Sequence, residues 1–194
     1  YSYVGKATYV RKVMVPKEWK KQRIILHFDR TLWTSQVKVN GLLLKETGES
    51  LSVPHEFDVT DYVTLGKENL LEITIDNSKK YDITFNELAH SYTNETQTKW
   101  NGILGKISLE SKPLSYIHHI SVFPKAKQGN VHVKIEMKGD ALLAKNQGRK
   151  LGKMRFAIVS PQGKEVKDTL LDVKGKVIEF DTQVKNAQLW DEFS

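Results

Sequence analysis

Period-two alternation of apolar and polar residues runs through most of this 194-residue chain and decides its fold class. Ile24, Leu26 and Phe28 share one parity and Arg23 and His27 the other. Val37 and Val39 alternate with Gln36 and Lys38, and Leu71, Ile73 and Ile75 with Glu72 and Thr74. Further on, Ile107 and Leu109 alternate with Lys106 and Ser108; Val131, Val133, Ile135 and Met137 with His132, Lys134 and Glu136; and Ile178 and Phe180 with Glu179. Neighbouring side chains on a strand point to opposite faces, so each run has one buried and one wet side. Many such short runs separated by turn signals predict an all-β chain of sandwiches. Asn40-Gly41 has the residues a type I′ hairpin needs, because both central positions take positive φ. Leu65 to Asn69, Pro161-Gln-Gly163 and Lys174-Gly175-Lys176 read as further turns. Helical periodicity is confined to about one turn from Pro16 to Lys21.

The alternation restarts near Lys112-Pro113-Leu114, where the new run Tyr116-Ile-His-His-Ile-Ser-Val-Phe123 begins. Two domains are expected, residues 1–113 and 114–194, each large enough for its own core. One segment, Asn77 to Leu104, has no clean alternation. Loops this long in compact domains are uncommon and usually functional or disordered, and the aromatics Tyr81, Phe85, Tyr92 and Trp100 argue against disorder. Amides and imidazoles bond hydroxyls in both directions, and an indole face packs on the C–H face of a pyranose. The segment therefore has the chemistry of a sugar site. A loop that merely caps a sandwich with buried aromatics fits equally well.

Charge narrows the partners. The formal net charge is +7, with 16 basic and 14 acidic residues up to Pro113 and 14 basic and 9 acidic beyond it. The later lysines alternate with apolar residues, as in Val131-His-Val-Lys-Ile-Glu-Met137, which is the wet face of a sheet. A nucleic-acid surface would cluster arginines with aromatics, so no nucleic-acid partner is expected. No run approaches the roughly 20 apolar residues of a membrane helix, so no membrane span is expected. The chain has no cysteine, which removes disulfides, thiolate metal ligands and thiol nucleophiles.

Several landmarks fall in a telling order. They are Gly5-Lys-Ala-Thr-Tyr-Val-Arg-Lys12 with Val15-Pro16, Arg23-Ile-Ile-Leu-His-Phe28, Ser35-Gln-Val-Lys-Val-Asn-Gly41 and Phe57-Asp-Val-Thr60. Gly66-Lys-Glu-Asn-Leu-Leu-Glu-Ile-Thr-Ile-Asp-Asn77 and Trp100-Asn-Gly-Ile-Leu-Gly-Lys-Ile-Ser-Leu109 follow. Together they resemble family 2 of the glycoside hydrolases, the β-galactosidase- and β-glucuronidase-like enzymes. The likeness is strong over residues 4–110 and looser beyond, where Gln188-Leu-Trp-Asp-Glu-Phe-Ser194 is similar to the end of the family's second domain.

The resemblance implies a jelly-roll, galactose-binding-like domain over residues 1–113 and an immunoglobulin-like sandwich over residues 114–194. In the family a (β/α)₈ barrel follows, whose two glutamates act as nucleophile and acid/base. A barrel takes roughly 250 residues, so none lies within this sequence. The implied function is that of an N-terminal, non-catalytic fragment of an exo-acting glycoside hydrolase. Its first domain would scaffold and help line the sugar subsite, and the fragment alone would be inactive. His90, Asn94, Gln97, Trp100 and Asn101 are the implied sugar contacts, although Trp100 and Asn101 could instead only fix the loop's return. The implied partners are a carbohydrate and the C-terminal catalytic barrel of the same polypeptide, with no cofactor. The acidic, Arg-containing loop found around the equivalent Trp in β-galactosidases is missing, so galactose preference is not implied. The expected location is periplasmic or extracellular in a bacterium, any signal peptide lying outside this sequence. A stand-alone carbohydrate-binding module and a cell-surface adhesion pair are the competing readings.

Three features invite over-reading. Asn86-Glu87 and Asn94-Glu95 mimic the family's Asn-Glu acid/base, but both sit in the long loop and not at a barrel strand end. His118 and His119 are adjacent on a predicted strand and would point to opposite faces, so they are not expected to chelate one metal. With no cysteine, no transition-metal site is expected, while loop oxygens leave a peripheral Ca²⁺ or Na⁺ open.

Overall fold

The computed structural model describes residues 3–78, 80–81, 101–125, 129–139 and 152–187. Backbone contacts divide the chain into two units, Tyr1–Lys112 and Pro113–Ser194. The described residues contain strands, turns and a single 3-10 turn at Lys17–Trp19, so the expected all-β class holds.

In the first unit the strands are β1 (Lys6–Met14), β2 (Arg23–Leu32), β3 (Thr34–Val39), β4 (Leu42–Glu49), β5 (His55–Asp58), β6 (Glu68–Asp76) and β7 (Gly102–Lys112). They form two antiparallel sheets, β1-β6-β3-β4 and β5-β2-β7. The chain crosses repeatedly between them, as jelly rolls do. β6 shows why: Asn69, Leu71, Ile73 and Ile75 are buried while the residues between them are only half-buried. The apolar files of the two sheets meet in one cluster that includes Val37, Val39 and Ile73 from one side and Leu26, Phe28 and Phe57 from the other. The Phe28 and Phe57 rings lie 5.7 Å apart at 51°. Each such side chain taken fully from water contributes about 1.5–3 kcal/mol.

The turns follow their residues. Asn40 (φ 50°) and Gly41 (φ 86°) connect β3 to β4, with Val39 opposite Leu42. The Asn40 amide also donates to Tyr62 O (3.0 Å) and Asn69 Oδ1 (2.8 Å) and accepts from Leu70 N (2.9 Å). Asn69, a polar residue in an apolar file, is thereby satisfied, since it also bonds Thr64 and Lys67. The β2–β7 ladder slips between Phe28 and Arg30, placing one extra residue on β7. Asp29 closes this bulge by accepting the Lys106 N–H at 2.7 Å. That bond is the main reason its carboxyl lies below its ordinary range.

In the second unit the strands are β8 (Ser115–Lys125), β9 (Asn130–Gly139), β10 (Lys153–Val159), β11 (Glu165–Asp172) and β12 (Val177–Gln183). They pair as β12-β9-β8 and β10-β11. Pro161–Gly163 closes the β10–β11 hairpin, with Ser160 N donating to Lys164 O at 2.8 Å. The Lys174–Lys176 turn instead carries the chain from one sheet to the other, where Phe156 meets Phe180 edge-on at 5.0 Å.

The placement of His118 and His119 departs from expectation. Ile117 pairs with Met137 and Ile120 with Ile135, so two residues, not one, lie between two core-facing isoleucines. Both histidines are exposed, and the register sets the pair against the single residue Glu136. The Glu136 carboxyl is held below its ordinary range chiefly by Lys134, with small contributions from both imidazoles. Alternation fails here because a bulge adds a residue to one strand only. Even so, no group of three or more His, Asp or Glu able to hold a metal occurs among the described residues. No helix among them is long and apolar enough to cross a membrane.

Candidate functional site

One end of the first unit gathers the strand termini that flank the long irregular segment. Register places Lys6 and Thr34 on either side of Asp76, Thr34 opposite Glu49, and Leu32 opposite Gly102. The starts of β1, β3 and β7 and the ends of β2, β4 and β6 therefore converge there. His90, Asn94, Gln97 and Trp100 lie outside the described residues, as do Asn86-Glu87 and Asn94-Glu95. Asn101 is described and sits at this end.

Asn101 is held by its amide nitrogen, which donates to Gly5 O (2.8 Å) and to Asn77 Oδ1 (3.2 Å). Asn77 is fully buried; its Oδ1 also accepts from Gly5 N (2.8 Å), and its Nδ2 donates to Tyr3 O (2.9 Å). The two asparagines thus tie the exit from β6 to the entry into β7, with the chain just before β1 as a third member. The Asn101 Oδ1 is buried without a hydrogen-bond partner among the described residues. Next to it, Gly102 has φ 110°, and a Cβ there would run into the Tyr9 hydroxyl, so only glycine lets β7 begin at this point.

The other side of this neck is aromatic and charged. Buried Trp33 packs on Leu32 and Leu51, and its ring lies 6.0 Å from that of Tyr81. Glu49 pairs with Lys80 at 3.3 Å, and its carboxyl is held below the usual range first by a Tyr81 hydrogen bond and then by Lys80. The Asp76 carboxyl is likewise held down, first by the Ser78 side chain and backbone N–H, with Lys6 and Lys80 nearby. Both carboxylates are stabilised as anions with their lone pairs engaged. Neither suits the role of a glycosidase acid, which must stay protonated near neutral pH.

A second cluster lies beneath the neck. His55 Nδ1 is 2.6 Å from Ser35 Oγ and 2.8 Å from Thr31 Oγ1. It has the look of a nucleophile beside a base. Ser35 is 0% exposed, however, and the third partner is a hydroxyl where a carboxylate would be needed, so no substrate reaches it and no charge would orient it. Sequence reading missed Trp33, Asn77 and this cluster. A detectable signal did exist: Thr31 to Ser35 interrupts two alternating runs, and Asn77 directly follows a third.

Comparisons with known proteins agree with this fold. Residues 1–113 match the family model described as glycosyl hydrolases family 2, sugar binding domain. A β-galactosidase from Thermoanaerobacter pseudethanolicus is 30% identical over 76 residues, covering 39% of this chain and 10% of that protein. Among solved structures, the β-D-glucuronidase from Dictyoglomus thermophilum matches 98% of this chain and 32% of its own, with a TM-score of 0.66 and 22% identity. A putative β-galactosidase from Bacteroides fragilis matches 97% of this chain and 28% of its own, with a TM-score of 0.75 and 18% identity. The likeness to these structures concerns the fold, and the chain spans no more than about a third of any of these three proteins.

Proposed function

The chain belongs to family 2 of the glycosyl hydrolases, through its sugar binding domain, and from that membership we propose that it is the non-catalytic N-terminal part of an exo-acting, retaining β-glycosidase. The first unit scaffolds the sugar subsite, and residues 82–100 help to line it. The reactive pair of glutamates belongs to a barrel further along the same polypeptide. The second unit is read as immunoglobulin-like, a three-stranded and a two-stranded sheet joined through Phe156 and Phe180. The names of the similar proteins suggest β-linked galactosides or glucuronides as substrates, and a bacterial periplasm or exterior is proposed as the location.

One observation carries this reading. Asn77 and Asn101 tie together the two ends of the segment that holds His90, Asn94, Gln97 and Trp100. That segment therefore leaves and re-enters at one end of the sandwich, where a neighbouring domain can meet it. In the longer gene product, alanine at His90, Asn94 or Gln97 tests this reading. A fall in kcat/KM of about tenfold or more, near 1.4 kcal/mol of lost transition-state binding, is expected for at least one of them. Unchanged kinetics in all three would remove the subsite role.

A further inference from the structure

We propose that His55 is an acid-sensitive rivet, whose neutral imidazole holds β2, β3, β4 and β5 together beneath the loop end and whose protonation loosens that end. The argument begins with space. Gly48 on β4 has no positive φ to explain it, yet a Cβ there would overlap the His55 ring and come within 2.6 Å of the Ser35 hydroxyl. The imidazole fills the room that a side chain on β4 would need. His55 is 4% exposed, Ser35 and Thr31 are buried with it, and each of the three comes from a different strand.

The partners are neutral. Two hydroxyls can bond an uncharged imidazole, but they cannot balance a charge. Around the ring, β2 carries His27 and Asp29, which pair with one another at 3.1 Å, and Arg30 is exposed. On β3, Lys38 pairs with Glu72. On β4, Glu49 pairs with Lys80, while Lys45 and Glu46 are exposed. On β5, Glu56 faces His27 and Asp58 binds Arg23. No carboxylate among the described residues forms an ion pair with His55. Burial alone lowers its pKa from the ordinary value.

Position gives the rivet a consequence. Thr31 and Ser35 flank Leu32-Trp33-Thr34, and Gly48 precedes Glu49. Trp33 and Glu49 are the residues that hold Tyr81 and Lys80. A charge on His55 would disturb both contacts from below.

The test is histidine side-chain NMR on the intact chain, together with amide hydrogen exchange corrected for intrinsic rates. His55 is expected to stay neutral through pH 6.5. Below that pH, exchange at Thr31–Ser35 and Gly48–Ser50 should rise by up to about tenfold per pH unit, the slope of one linked proton. In His55→Gln that acid slope should vanish from those amides. Should this variant not fold, the wild-type chain carries its own control: the acid slope should appear at Thr31–Ser35 and Gly48–Ser50 and be absent from β9 above about pH 5, and an equal slope in both would overturn the proposal. An ordinary His55 titration in the wild-type chain, or an acid slope retained in His55→Gln, would overturn the proposal.

Discussion

In the first unit twelve buried apolar side chains from both sheets form one cluster, whereas in the second only Val133, Ile135 and Val173 are buried among the described residues. Both units obey the same alternation. Leu26 lies opposite Phe57 on a core-facing file and both are fully buried, although Ile107 on β7 is 51% exposed. Ile120 lies opposite buried Ile135 on a core-facing file and is 46% exposed. Ile117 (45%) and Val122 (55%) are similarly wet. Alternation marks which face of a strand is apolar, and burial depends on what lies across from that face. Buried polar residues follow the same division. His55, Asn69 and Asn77 all belong to the first unit, because only a closed core obliges amides and imidazoles to find partners.

The largest expected contrast comes from truncating one apolar residue in each unit. Phe28→Ala should cost about 3–5 kcal/mol, a transfer loss plus an unfilled cavity. Ile120→Ala should cost under about 1.5 kcal/mol, the effect of a residue already half in water. Urea unfolding, followed by hydrogen exchange in β2 and β9 separately, measures both. Equal costs would mean that the two cores are equally closed.

Overpacking sharpens the same contrast. Gly48→Ala should destabilise the first unit by about 1–3 kcal/mol, because the ring and hydroxyl behind it must shift. Gly163→Ala has open space around it, but its φ of 80° still opposes a side chain, so a loss of about 1 kcal/mol or less is expected. Thermal unfolding of the two variants ranks them.

Asn77→Ala should cost about 1–3 kcal/mol by stranding the groups it bonds, and should speed exchange at Gly5 and Gly102 before any other amide. An effect spread evenly over the unit would show that the tie between β6 and β7 is not local.

Acid should loosen the first unit before the second. The His55 pKa is lowered by burial, so the folded state excludes a proton that the unfolded state binds. Its stability contribution is complete above about pH 6.5 and declines as pH falls toward the lowered value. Carboxylates held down in the fold, Asp76 and Glu110 among them, add a second loss at lower pH, as it drops through and below their ordinary range near 4. Exchange in β3 and β9 between pH 8 and 4 should diverge first near 6.5.

The strands and tight turns of this chain were legible because each depends on neighbours two residues apart or on a pair such as Asn40-Gly41. The bulge at His118-His119 was not, since nothing local distinguishes an inserted residue from a continued strand. The neck was half legible. Asn101 stood out as an amide in an aromatic segment, but its bonds to Gly5 and Asn77 join residues 96 and 24 positions away. Nothing in the sequence singled out Trp33, and only folding set it against Tyr81. The His55 cluster was invisible because Thr31, Ser35, Gly48 and His55 come from four strands with no shared spacing.

The most direct test of the account is hydrolysis of a panel of aryl β-glycosides by the purified 194-residue chain alongside the longer polypeptide proposed above. The chain alone should release no phenol above buffer, while the longer protein turns over at least one member. Turnover by the chain itself would place acid and nucleophile within these residues and contradict a purely supporting role.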